Sequence, residues 1–220
     1  MTPSERFSDT SSDPPVRGFL HRPDSASGDS LTLTHGAGGN AQMGLLVALA
    51  EAFARAGFAV LRCDLPFRQQ RPYGPPRPGD AVRDREGLKH AVAAMKKLFH
   101  GRLFLGGQSY GGRQASMLVA EETKLADGVL LLSYPLHPPG HPERLRTQHL
   151  PDIKVPVMFV SGTRDPFGTI DEIESARKLI PAKALLLLVE GAGHDLGFKG
   201  KKRPEELPAA VLIAFQKLIA

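Results

Sequence analysis

What most limits the folds open to this chain is an alternation that begins near residue 30, where short, β-rich apolar runs are separated by longer amphipathic stretches. Strands bounded in this way cannot be joined by tight hairpins, so the pattern describes parallel strands with crossover helices, an α/β class with a mostly parallel central sheet and helices on both faces. The strands expected are 31–34, 58–62, 103–106, 128–132, 155–160 and 184–189, with 16–20 as an antiparallel edge. Between them the helical periodicity covers 41–55, closed by Gly57, 80–99, closed by Gly101, 114–122, 171–179, stopped by Pro181, and 204–218. With 220 residues, of which 41 % are apolar, the chain has material for one core-bearing domain over 16–220. Residues 1–15 are polar and lack the apolar stretch of a secretory signal, so they are expected to be a disordered tail.

Charge and cysteine content exclude several functions. The net charge of +5 is spread along the chain, and its densest run, Lys199, Lys201, Lys202 and Arg203, reads as a solvated loop before a helix. Nucleic acid is therefore not an expected partner, and no membrane span is visible. A single cysteine, Cys63, forms no internal disulfide and anchors no metal cluster, which fits a cytoplasmic protein without cofactor or metal.

Two loops differ from the rest. Residues 66–79 hold five prolines and three arginines, Arg68, Arg71 and Arg77, so they are expected to wrap the surface without entering a sheet or helix. They follow the C-terminal end of a strand, the edge at which open α/β sheets bind ligands, and could recognise an anionic substrate. Residues 133–154 leave room for one short helix near 143–148 and for no separate lid domain.

The chemistry is carried by a pentapeptide in a specific context. Gly107, Gln108, Ser109, Tyr110 and Gly111 form GxSxG directly after an apolar strand and before a helical pattern. A turn this tight strains the serine backbone, and side chains at the flanking positions would collide with the turn. The alternative, a phosphate-binding turn, lacks both the lysine and the GxGxxG spacing. A serine hydroxyl needs a base to take its proton and a third group to orient that base. His194, in GAGHDLG after one strand, and Asp165, in SGTRDPFG after another, follow Ser109 in chain order. Asp195 and Asp171 are alternative acids, the first badly placed beside His194 and the second better explained as a helix N-terminal residue. The run from His35 to Gly39 resembles an oxyanion loop, with Ala37 and Tyr110 as backbone donors and Gly38 as a near alternative to Ala37; His35 is read as holding the turn.

Together HGAGGN, GGQSYGGR, SYPLHPPGHPERLRTQHL, SGTRDPFG and GAGHDL resemble the small dienelactone-hydrolase-like branch of the α/β-hydrolases, over most of the chain from Val16. The nearest likeness is to the hydrolases grouped with testis-expressed protein thirty and with the hydrolase-like domain of a nonspecific-lethal chromatin complex subunit. The resemblance implies the α/β-hydrolase fold and a Ser109–Asp165–His194 triad; Ser109 stands where dienelactone hydrolases carry cysteine. It also marks Tyr134, His137 and Arg146 as residues that border the pocket or stiffen its loop. The function expected is hydrolysis of a carboxylic ester or thioester, a small-molecule substrate, through an acyl-enzyme. The alternatives are a non-catalytic interaction module on the same fold, or another chemistry on the same triad such as perhydrolysis or a lyase reaction.

Overall fold

A computed structural model of the chain describes residues 4–198 and 205–220. The basic run at 199–203 and the expected helix start at 204 lie outside them. Among the described residues one sheet of eight strands runs in the order β1-β2-β4-β3-β5-β6-β7-β8. These are β1 (Ser4–Asp9), β2 (Val16–His21), β3 (Ser30–Thr34), β4 (Ala59–Cys63), β5 (Leu103–Gln108), β6 (Gly128–Leu132), β7 (Val157–Gly162) and β8 (Ala184–Val189). Pairing is antiparallel for β1 with β2 and β2 with β4, and parallel across every other neighbour.

The central strands are apolar along their whole length because each serves two cores. In β6, Val129 and Leu131 enter the core beneath α3 (Asp80–Leu98), α4 (Tyr110–Glu121) and α5 (Ile170–Arg177), whereas Leu130 and Leu132 enter the one beneath α1 (Gly44–Arg55) and α6 (Leu207–Ile219). The period of two thus places helices on both faces, as expected of a doubly covered parallel sheet. Phe53, Phe58, Phe104 and Phe215 meet edge-on or tilted in the second core, with centroid separations of 5.1 to 6.1 Å. Among the described residues no helix is long and apolar enough to cross a membrane.

Four expectations need correction. Residues 4–9, expected to lie in a disordered tail, form β1: the backbone pairs residue for residue with β2, and half-buried Phe7 packs on the core. The 66–79 segment does enter a helix, α2 (Pro66–Gln70), since proline at the first helical turn lacks only an N–H that would be unpaired there anyway. Only 71–79 is irregular. The helix expected near 143–148 is replaced by turns and a 3-10 turn at Leu150–Asp152, because the Arg146 N–H is taken by the Leu136 carbonyl at 2.8 Å. Finally α4 starts at Tyr110, four residues earlier than its apolar periodicity suggested, with the Arg113 N–H already donating to the Ser109 carbonyl at 2.9 Å. Among the described residues no separate lid covers the C-terminal ends of the strands.

Candidate active site

Ser109 sits between β5 and α4 with φ at 50°, a left-handed conformation that costs a non-glycine residue energy and lifts its side chain out of the strand–helix corner. The flanking glycines are sterically required. A Cβ on Gly107 would lie 2.8 Å from the Gly112 backbone nitrogen, and one on Gly111 would lie 2.4 Å from the His35 carbonyl oxygen. The Ser109 N–H is consumed by the Leu132 carbonyl at 2.8 Å, which ties the turn to β6.

The three residues singled out in separate loops converge. Ser109 Oγ stands 2.7 Å from His194 Nε2, and His194 Nδ1 lies 2.8 Å from Asp165 Oδ2 and 3.0 Å from Oδ1. With Nδ1 facing a carboxylate that can only accept, the ring carries its proton there and leaves Nε2 to accept from the serine hydroxyl. Asp165 is buried at the end of β7, and its Oδ1 also accepts the Phe167 N–H at 2.9 Å. The Phe167 ring lies against the imidazole, with centroids 4.1 Å apart and planes 29° apart. Gln108 donates to the His194 carbonyl at 3.3 Å, so the histidine is held by backbone as well as ring. The alternative acids are elsewhere: Asp195 Oδ1 accepts the Gly197 N–H, and Asp171 lies in the first turn of α5.

His35 belongs to the loop rather than to the reacting groups. It is fully buried, with Nδ1 donating to the Gly36 carbonyl at 2.8 Å and Nε2 accepting the Leu65 N–H at 3.1 Å. Burial lowers its pKa below the ordinary value, and the nearby Arg68 charge pushes the same way, so the ring stays neutral and keeps this tautomer. Because a trans peptide points its C=O and N–H in opposite directions, a Gly36 carbonyl turned to His35 leaves the Ala37 N–H facing the other side. Tyr110 is the first residue of α4, where backbone N–H groups have no intrahelical partner. Ser109, His194, Phe167, Gln108, Asp195, Met43 and the 36–39 loop line one cleft of about 270 Å³, with neither lysine nor arginine in its wall among the described residues. Among the described residues, no group of three or more histidine, cysteine, aspartate or glutamate side chains is arranged to hold a metal ion.

Several sequence candidates turn inward instead. Tyr134 donates to the Arg146 carbonyl at 2.7 Å, Arg146 to the Pro135 carbonyl at 3.0 Å, and His137 Nε2 lies 3.2 Å from Glu172, so all three brace the 133–154 segment. Arg71 pairs with Asp80, and Arg68 is buried among backbone carbonyls, which leaves neither free for an anionic substrate. Two neighbours of the site escaped the sequence reading. Asp84, buried on α3, accepts the Phe67 N–H at 3.0 Å and the Tyr110 hydroxyl at 2.7 Å. Burial raises its pKa and, together with the Asp84 charge, that of Tyr110 as well. A signal for Asp84 existed, since it falls in register with Leu88, Ala91 and Met95 on the apolar stripe of its helix. Phe167 gave none beyond its nearness to Asp165.

The family model described as alpha/beta hydrolase domain matches residues 27–217. Solved structures share the fold at low identity. An alpha-beta serine hydrolase homologue from Coxiella burnetii has a TM-score of 0.76 and 18 % identity, covering 97 % of this chain and 98 % of that one. A dienelactone hydrolase from Anabaena variabilis has a TM-score of 0.74 and 22 % identity, covering 97 % and 95 %. A lidless α/β serine hydrolase from Xanthomonas campestris has a TM-score of 0.77 and 14 % identity, covering 99 % and 95 %.

Proposed function

This chain belongs to the alpha/beta hydrolase domain family, and on that premise we propose that it is a serine hydrolase cleaving a carboxylic ester or thioester, with Ser109 as nucleophile, His194 as base and Asp165 as the group that orients the base. The observation that supports this most is the unbroken hydrogen-bonded path from the Ser109 hydroxyl through both ring nitrogens of His194 to Asp165. Ser109 Oγ attacks the carbonyl carbon, its proton passes to His194 Nε2, and the carbonyl π pair moves onto oxygen. That oxygen is received by the backbone N–H groups of Tyr110 and Ala37. Asp165 stabilises the imidazolium through Nδ1, and the Phe167 ring face adds attraction for the same cation. Collapse of the tetrahedral intermediate expels the alcohol or thiol with the proton from Nε2. Water then gives a proton to His194, attacks the acyl carbon, and releases the acid and the serine hydroxyl.

The cleft favours small, uncharged acyl groups. Its volume of about 270 Å³ lies below the ~300–1,000 Å³ of pockets that enclose drug-sized ligands, and among the described residues its wall holds a carboxylate, Asp195, and no cation. Turnover should therefore be highest for the shortest members of a p-nitrophenyl ester series from acetate to decanoate; a maximum at decanoate would reject this substrate class. An interaction module that had given up catalysis would have no use for the strained serine or for the oriented histidine, so that reading is not favoured. The direct test is a fluorophosphonate probe. It should label the native protein and leave Ser109→Ala unlabelled, and labelling of the variant or silence of the native protein would defeat the proposal.

A further inference from the structure

Arg68 is the least expected charge in the molecule. It sits on α2 only 7 % exposed, and among the described residues its guanidinium has no carboxylate partner. A buried cation without a counter-charge is costly unless its donors are well matched. Here they are matched by main-chain carbonyls alone: Nε donates to Gly39 at 2.7 Å, Nη2 to Ala37 at 2.8 Å and Gly74 at 2.9 Å, and Nη1 to Arg71 at 3.1 Å. Two of those acceptors belong to the loop that forms one wall of the catalytic cleft.

The consequence follows from peptide geometry. A carbonyl of Ala37 that points at Arg68 requires the N–H of the same peptide, that of Gly38, to point the opposite way. The preceding peptide is fixed in the same manner by His35 and by the Gly39 N–H, both of which engage the Gly36 carbonyl, at 2.8 and 3.1 Å. Successive N–H groups of this loop are thus aimed by what grips their carbonyls from behind. A charged donor on the carbonyl also polarises the amide and strengthens its N–H as a donor, an effect that grows in a buried site.

We propose that Arg68 is a positioning residue of the hydrolysis: by holding the Ala37 carbonyl it aims and polarises the Gly38 N–H, the near alternative donor, and by holding Gly39, whose own N–H grips the Gly36 carbonyl, it keeps the Ala37 N–H turned toward the oxygen that gains negative charge in the transition state. It touches no substrate atom. Its place on α2 makes it part of a wider bracket, since Leu65 at the start of that helix holds His35, and Phe67 holds Asp84 and through it Tyr110. Both sides of the oxyanion pocket are thereby referred to one short helix. The inference rests on the hydrolase reading, and the two can fail separately.

The experiment uses the full chain with p-nitrophenyl acetate, with active enzyme counted by fluorophosphonate titration. Arg68→Ala is expected to lower kcat about a hundredfold, the scale of losing one oxyanion donor, with KM within about twofold of the parent. Added guanidinium ion should restore at least tenfold of that loss in Arg68→Ala, whereas methylammonium should not, a difference that a packing defect would not produce. Arg68→Lys keeps the charge but not the forked geometry and should fall between the two; it decides the matter if the alanine variant does not fold. An inert parent enzyme would sink the hydrolase reading. An active parent with Arg68→Ala or Arg68→Lys at parental kcat would overturn the role given to Arg68 alone, as would a loss confined to KM.

Discussion

Replacing Gly111 by alanine tests whether the distance between the serine turn and the oxyanion loop is set by hard contact. A methyl group there would sit 2.4 Å from the His35 carbonyl oxygen and 2.6 Å from Thr34 Cγ2. Ordinary contact begins near ~3.4 Å, so the two segments must separate by about 1 Å, and neither yields easily because Thr34 ends a central strand and His35 is buried. A misplacement of about 1 Å in a catalytic constellation costs on the order of a hundredfold in rate, and overpacking costs about 1–3 kcal/mol in stability. Gly101→Ala supplies the control: its Cβ would lie 2.3 Å from the Gly28 carbonyl oxygen, at the opposite end of β5 from Ser109. Both variants should melt several degrees lower by circular dichroism, but only Gly111→Ala should lose turnover of p-nitrophenyl acetate per folded molecule. If Gly111→Ala stays folded with kcat within about threefold of the parent, the contact is not what sets the geometry.

Two further perturbations address the acid and the fold. Asp165→Asn should reduce kcat by roughly 10⁴, because the amide places an N–H where Phe167 or His194 now donates and favours the wrong imidazole tautomer; parental turnover would remove Asp165 from the mechanism. Stability should fall as pH drops from about 6.5 to about 4. Burial pushes His21 and His149 down to about 4, with Arg62 and Arg113 acting in the same direction, so across that window the unfolded chain binds protons that the folded one refuses. The slope is at most about 1.4 kcal/mol per pH unit for each histidine. Urea midpoints at pH 7 and pH 5 should converge in the double variant His21→Gln/His149→Gln, and an unchanged difference would contradict the assignment.

The hydrogen-bonded convergence of Ser109, His194 and Asp165 could be anticipated from the sequence because each occupies a short, small-residue loop directly after an apolar run, where parallel topology leaves them at one edge of the sheet. The central strands were legible for a related reason, since burial on both faces removes polar residues. What stayed hidden depends on contacts between segments remote in sequence. The strand at 4–9 is polar and is held by backbone pairing to β2, which leaves no mark in side-chain pattern beyond Phe7. The role of Arg68 is carried by carbonyls from two stretches of chain, 37–39 and 71–74, and carbonyls are the same at every position. The proline-rich composition around it obscured a helix one turn long.

Phe167 joins Asp165 and His194, the proposed acid and base, by different parts of itself: its main-chain N–H binds Asp165, and its ring covers His194. Those attachments are independent, because any residue but proline at 167 retains the first. The surface facing the imidazole can therefore be exchanged for leucine, tyrosine or tryptophan while the carboxylate stays anchored, which gives evolution, or a protein engineer, a way to adjust the base without disturbing the group behind it.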